Sequence, residues 1–303
     1  MGAGHSHGPT PEHSGSRYRT RLAAAFALTA AFFAVELSVG LVSGSLALVS
    51  DAGHMAADVV AQGASLVATR IATRPDRSGR RTYGSYRAEV FASGLTVLIM
   101  LGVGGYVLFE GISRIGRAPE VASGAMLVVG FLGLAINVVS LLLLRSGSKE
   151  SLNVRGAYFE VVADAAGSVG VMVAGVLIVI TGRPVWDVVV AVAIAVFVMV
   201  RAVVLGRQVL AVLGQHAPEG TDPEAVAACL DNIDGVAHVH DVHLWALTSG
   251  MNVATAHLVA APQVDHHEIL DSARDLLRDR FGIAHATLQV EPADHEGCQD
   301  LIW

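Results

Sequence analysis

Four residues set the chemical question: His54, Asp58, Glu160 and Asp164. All four are ionisable, all fall inside long apolar stretches, and they form two pairs with the same spacing of four. On an α-helix that spacing stacks both side chains on one face, one turn apart. Two helices that turned these faces toward each other would bring one imidazole and three carboxylates to a common point. That is the ligand number and chemistry of a four-coordinate divalent metal site. The alternative is polar glue, buried hydrogen bonds that only hold helices together. An ionisable group within a membrane helix costs at least ~2.5 kcal/mol on insertion scales, so it needs a partner or a function. No basic residue lies in the central part of either stretch, and uncompensated negative charge in hydrocarbon calls for a positive ion or for protons.

The elements that must hold these residues follow from composition. Of 303 residues, 53% are hydrophobic and 16% charged, and the mean hydropathy is +0.55, which places most of the chain in a lipid bilayer. Windows long and apolar enough to cross occur near 20–42, 46–71, 88–111, 122–144, 156–180 and 185–205, predicting six transmembrane helices. His54 and Asp58 fall in the second, Glu160 and Asp164 in the fifth. Arg17, Arg19 and Arg21, then Arg70 to Arg87, then Arg145, Lys149 and Arg155 mark one side of the membrane. Only Arg114 and Arg117 blur this pattern, so the positive-inside rule makes both termini cytoplasmic. The remaining acids Glu36, Asp51, Glu89, Glu110 and Asp187 lie nearer span ends. There, helix capping, interfacial water or pairing with Arg87 or Arg201 would account for them.

The back of the chain differs in kind. Residues 1–207 hold 17 Lys and Arg against 12 Asp and Glu, whereas 208–303 hold 3 against 15 together with nine of the 13 histidines. An acidic, imidazole-rich domain is a poor partner for nucleic acid and a good one for cations. Thr221 and Asp222 before Pro223 predict a helix start. VAHVHDVHLWAL and MNVATAHLVA read as strands around a turn at 248–250, a helix follows from about Asp265 to Phe281, and AHATLQVE reads as a last strand. The order predicts a cytoplasmic α+β domain. The division is therefore 1–19 as a histidine-bearing tail, 20–207 as the membrane domain, 208–291 as the soluble domain and 292–303 as a loose tail. Cys229 and Cys298 are too few for a disulfide framework. No HExxH occurs, so a membrane metalloenzyme is not expected. A non-transporting metal sensor or scaffold remains the alternative to a transporter.

SGSLALVSDAGHMAADVV, YGSYRAE, SLNVRGAYFEVVADAAGSVGV and GVAHVHDVHLWALTSG resemble the second, third and fifth spans and the cytoplasmic signature of the cation diffusion facilitator, or cation efflux, family. The resemblance runs from the first span to Gln289. It implies a homodimer of six-helix protomers, each with a ferredoxin-like cytoplasmic domain. It implies export of Zn²⁺ or a related divalent ion (Cd²⁺, Co²⁺, Mn²⁺ or Fe²⁺) in exchange for protons, with no prosthetic group. Separately, arginine outnumbering lysine 19 to 1, with abundant Ala, Gly and Val, points to a bacterium and so to its inner membrane. His54, Asp58, Glu160 and Asp164 match the family's transport ligands. His240, His257, Gln289 and Glu291, with His267 on the next helix, match positions of a regulatory cytoplasmic metal site. His5, His7 and His13 resemble its histidine-bearing tails. The sequence departs from the family where Glu160 replaces a histidine. That changes the formal charge of the loaded site from 0 to −1 and hardens the ligand set toward oxygen-preferring ions. The loop between the second and third spans carries arginine and serine where some members have histidine, so no metal site is expected there. Ser93 or Gly94 stands where an asparagine is common.

Overall fold

The computed structural model describes residues 15–72, 81–115, 121–145, 152–248 and 250–293. His5, His7 and His13, residues 73–80 of the loop where no metal site is expected, and most of the predicted tail, 294–303, lie outside them. The chain divides into two compact units, one made of residues 1–66 and 92–205, the other of 67–91 and 206–303.

Six helices fill the predicted windows: α1 (Gly15–Ser43), α2 (Leu46–Ala72), α3 (Ala88–Ser113), α4 (Ser123–Leu144), α5 (Leu152–Thr181) and α6 (Val185–Leu213). Their exteriors are apolar: Phe91, Phe109, Phe131 and Ile180 point outward, while Glu36, Asp51, His54, Asn137, Ser140, Asp164 and Asp187 are buried. Apolar outside and polar inside reverses the pattern of a water-soluble bundle and defines an integral membrane protein. Among the described residues five helices are long and apolar enough to cross, not the six expected. The exception is α2, because Asp51, His54, Asp58 and Gln62 dilute its apolar content. The residues that make α2 chemically interesting are those that make it a poor span by composition.

Packing inside this unit joins α4 to α5 and both to α1, around Phe32, Met126, Val129, Val171 and Ala174. A second cluster, Ala57, Met100, Val198 and Ala202, locks α2 and α3 against α6. The start of α2 is fixed with unusual care. Ser45 Oγ accepts the Leu48 N–H at 3.2 Å, while Asp187 of α6 receives Ser45 Oγ–H at 2.6 Å, Leu46 N–H at 2.7 Å and Ala47 N–H at 3.1 Å. Three donors that no turn of helix can satisfy are thereby paired, and a carboxylate sits at the positive end of the helix dipole. Arg114 pairs with Glu110 at 2.9 Å and donates to the Gly44 carbonyl at 2.7 Å. A cation that departs from the charge asymmetry is thus neutralised locally.

In the second unit, α7 (Pro223–Asp231) starts at the Asp222 cap with Pro223 in its first turn, and α8 (His266–Phe281) runs from the Asp265 cap to Gly282, whose φ of 66° closes the helix. Strands β1 (Val236–Thr248), β2 (Met251–Ala260) and β3 (His285–Glu291) form one sheet in that order, β1 and β2 antiparallel, β2 and β3 parallel. Alternation along β2 buries Ala254, Ala256, Leu258 and Ala260 with Val226, Leu230, Ile269, Ala273 and Leu277 of the helices. His257, between Ala256 and Leu258, therefore faces the other side of the sheet. The predicted order helix, strand, strand, helix, strand is the order observed, an α+β layer.

Candidate metal centres

The first centre lies between α2 and α5. His54 Nε2 is 3.9 Å from Asp58 Oδ2 and 3.8 Å from Asp164 Oδ1, and ligand atoms of all three residues lie within 4.8 Å of one another. Relative exposure is 2% for His54, 9% for Asp58 and 3% for Asp164. Asp58 Oδ2 and Asp164 Oδ1, the oxygens nearest the imidazole, are buried and accept no hydrogen bond among the described residues. Oxygens left without donors at such depth are costly unless a cation takes their lone pairs. One nitrogen and two oxygens at this separation can hold a divalent ion, leaving a position for water or a fourth ligand.

Helix packing explains the convergence. The spacing of four puts His54 and Asp58 on one face of α2, and Gly53 beside them admits Val103 of α3 where a Cβ would collide with its Cγ1. From α5, Asp164 points inward. Glu160, one turn earlier, does not join it: both of its oxygens accept from Arg201 Nη2, at 2.6 and 2.7 Å. Arg201 comes from α6, and its Nη1 lies 3.1 Å from His54 Nε2. Phe197, one turn before Arg201, meets the His54 ring edge-on at 6.3 Å. Of the four residues singled out in sequence, three converge, and the fourth stands beside them holding an arginine.

A pair of acids extends the centre. Glu36 of α1 and Asp51 of α2 are fully buried with their carboxyls facing each other. Glu36 Oε1 and Oε2 and Asp51 Oδ1 have no donor among the described residues. Gly167, three residues beyond Asp164, leaves the space that Asp51 Oδ1 occupies, and any Cβ there would overlap that oxygen. Their position near span ends suggested interfacial hydration, but burial removes that option. Asp187, by contrast, is the helix cap that its position allowed.

The second centre is on the open face of the sheet. Register places His240 opposite His257 and His257 opposite Gln289, one row across three strands, with Glu291 two residues along β3 on the same face. Ligand atoms of His240, His257 and Glu291 lie within 4.8 Å of one another. His257 Nδ1 is 2.9 Å from Glu291 Oε1, and His240 Nε2 is 3.7 Å from Oε2. Neither nitrogen is aligned for a hydrogen bond, so the contacts are those of atoms facing a common point rather than each other. Gln289 donates to Glu291 Oε1 at 2.8 Å, orienting the carboxylate instead of adding a ligand. His267 lies exposed in the first turn of α8, outside the group. Asp241, which sequence alone gave no reason to single out, has φ of 51° at a register shift between His240 and His243. It comes within 3.7 Å of His257 Nε2 and 2.8 Å of His243 Nε2. The break in alternation within HVHDVH was the only signal of that bulge.

A bilayer-spanning bundle with a buried nitrogen and oxygen centre, followed by an α+β domain with a second cluster, matches known proteins throughout. Residues 22–213 match the cation efflux transmembrane domain and residues 218–293 the cytoplasmic domain of cation efflux proteins; the chain belongs to the cation efflux family, whose members are ion transporters rather than enzymes. It is 41% identical over 297 residues, 98% of this chain and 92% of the relative, to the metal cation efflux system protein CzcD of Cupriavidus metallidurans. It is 34% identical over 293 residues, 95% and 92% of the two chains, to the zinc transporter ZitB of Escherichia coli. A cadmium, cobalt and zinc/H(+)-K(+) antiporter of Bacillus velezensis is 32% identical over 297 residues, 96% of this chain and 93% of its own.

Proposed function

We propose that this protein exports Zn²⁺, or a related divalent cation, from the cytoplasm in exchange for protons by alternating access. The ion is held between α2 and α5, with α2 as the sixth crossing. The observation that carries this reading is the convergence of His54 Nε2, Asp58 Oδ2 and Asp164 Oδ1 at a buried point where the two oxygens have no donor among the described residues. Glu160 completes the four ligand positions by sequence. Relatives described as a zinc transporter and as a cadmium, cobalt and zinc/H(+)-K(+) antiporter support the choice of ion and of a counter-ion. The Glu36–Asp51 pair supports protons as that counter-ion, because a proton between two carboxyls is the smallest cation that gives their facing oxygens a donor.

Both termini are cytoplasmic in this reading, and the membrane is the inner membrane of a bacterium. The membrane domain spans 20–207, preceded by the tail 1–19, and the domain 208–291 is ferredoxin-like, followed by the tail 292–303. Two copies pair as a homodimer. His240, His257 and Glu291 form a regulatory site, with Gln289 holding Glu291 and His267 close enough in sequence to the sheet to complete the shell in another conformation. His257→Ala removes the ligand shared between neighbouring strands and is expected to lower the Zn²⁺ bound per chain by one equivalent, counted by equilibrium dialysis. An unchanged count argues against the site.

Proteoliposomes under an imposed pH difference test the function. Uptake driven by the gradient, in competition among Zn²⁺, Cd²⁺, Co²⁺, Mn²⁺ and Fe²⁺, is the expected result. Binding without flux would instead identify a sensor or scaffold.

A further inference from the structure

We infer that Arg201 is the resident cation of the transport site: it balances Glu160, competes with the arriving metal for the lone pair of His54, and so sets affinity and selectivity. The inference rests on the transport reading above and assigns a residue that neither the spacing pattern nor the family match singles out.

Three observations carry it. Arg201 Nη2 bridges both oxygens of Glu160, at 2.6 and 2.7 Å, which occupies the carboxylate that would otherwise be the fourth ligand. Arg201 Nη1 sits 3.1 Å from His54 Nε2. A guanidinium has five N–H donors and no acceptor, so His54 must accept, which puts its ring proton on Nδ1 and its lone pair on Nε2. Nε2 is also the ring nitrogen that lies 3.9 Å from Asp58 Oδ2 and 3.8 Å from Asp164 Oδ1. The arginine therefore keeps the imidazole in the tautomer a metal requires and covers the ligand atom until the metal displaces it. The third observation is charge. With a divalent ion bound, the three carboxylates leave the site at −1, and Arg201 brings it back to zero, the value of a site with two histidines and two aspartates. The substitution of Glu160 for histidine is thus offset by a cation from another helix, and the hardening expected from sequence is masked while Arg201 holds Glu160.

The direction of each effect follows from Coulomb's law at short range in a partly buried site, where one unit charge shifts a divalent ion's binding by an order of magnitude or more. Initial rates of Zn²⁺ flux by the full chain in proteoliposomes separate the possibilities. Arg201→Gln lowers KM for Zn²⁺ about tenfold and lowers kcat, because Glu160 is freed to bind and slows release; it also raises the Mn²⁺ to Zn²⁺ flux ratio. Glu160→Gln raises KM about tenfold by leaving the guanidinium unbalanced. The double variant returns KM to within about threefold of the parent, since the two charges are removed together. Arg201→Lys, which keeps the charge, leaves KM within about threefold and preserves a reading should Arg201→Gln not fold. Glu160→His alone leaves an unbalanced arginine beside the ion and raises KM for zinc, where ligand hardness alone would favour zinc. A KM for Arg201→Gln that is unchanged or raised overturns the inference, as does Glu160→Gln lowering KM. Asp164→Asn separates this from the parent reading: retained flux there removes the transport site itself, whatever Arg201 does.

Discussion

Asp164→Ala is expected to abolish metal flux, and Asp58→Ala to do the same, while each variant still folds and inserts. Both carboxylates face His54 Nε2 at under 4 Å from positions at most 9% exposed, and the facing oxygens, Asp58 Oδ2 and Asp164 Oδ1, have no hydrogen-bond partner among the described residues. Removing one costs a ligand and also the charge that offsets the ion. With Glu160 paired to Arg201, the two aspartates supply the whole net −2 that meets a divalent cation. Losing one leaves a bound ion unbalanced by one charge in a buried site, a penalty of roughly 3–5 kcal/mol, or more than a hundredfold in affinity. Stopped-flow uptake into vesicles carrying a zinc-sensitive dye reads this directly. Unimpaired uptake by either variant removes that aspartate from the site. Folding is expected to survive because Asp58 Oδ2 and Asp164 Oδ1, the oxygens that face the imidazole, accept no hydrogen bond among the described residues.

The largest effect on stability is expected at Asp187, outside the metal site. Its carboxylate is fully buried and accepts from Ser45 Oγ, Leu46 N and Ala47 N, so Asp187→Ala strands three donors at the first turn of α2. Each stranded buried donor costs roughly 1–3 kcal/mol, and partial relaxation of the turn brings the sum to about 3 kcal/mol or more. The variant should unfold at clearly lower temperature in detergent, with Asp187→Asn intermediate because its amide keeps one acceptor oxygen. Since α2 also carries His54 and Asp58, a loosened start displaces the ligand pair, and flux falls with stability. Equal melting of parent and Asp187→Ala would contradict the cap.

These effects divide along what a linear sequence can express. The pairs His54–Asp58 and Glu160–Asp164 were legible because helical spacing is local: four residues mean one face, whatever the helix packs on. The helix starts at Asp222 and Asp265 were legible for the same reason. Arg201 as the partner of Glu160 was not, because that contact joins residues 41 apart through the packing of α6 beside α2 and α5. The Asp187 cap, 141 residues from Leu46, is of the same kind: position allowed a capping role, and only the fold named the helix that is capped. Asp241 escaped because a strand bulge turns one residue out of the alternation that sequence reading relies on. Apolarity marks five helices as long and apolar enough to cross and leaves out α2, whose hydropathy is lowered by Asp51, His54 and Asp58.

The most direct test is to locate the ion. Anomalous scattering from crystals of the full chain grown with Zn²⁺, measured on either side of the zinc absorption edge, should give a peak between α2 and α5, coordinated by His54 Nε2, Asp58 and Asp164. The Arg201 guanidinium should be withdrawn from the imidazole in that state. Zinc peaks confined to the soluble domain, with His54 still covered by Arg201 under saturating metal, would contradict a transport site at this position.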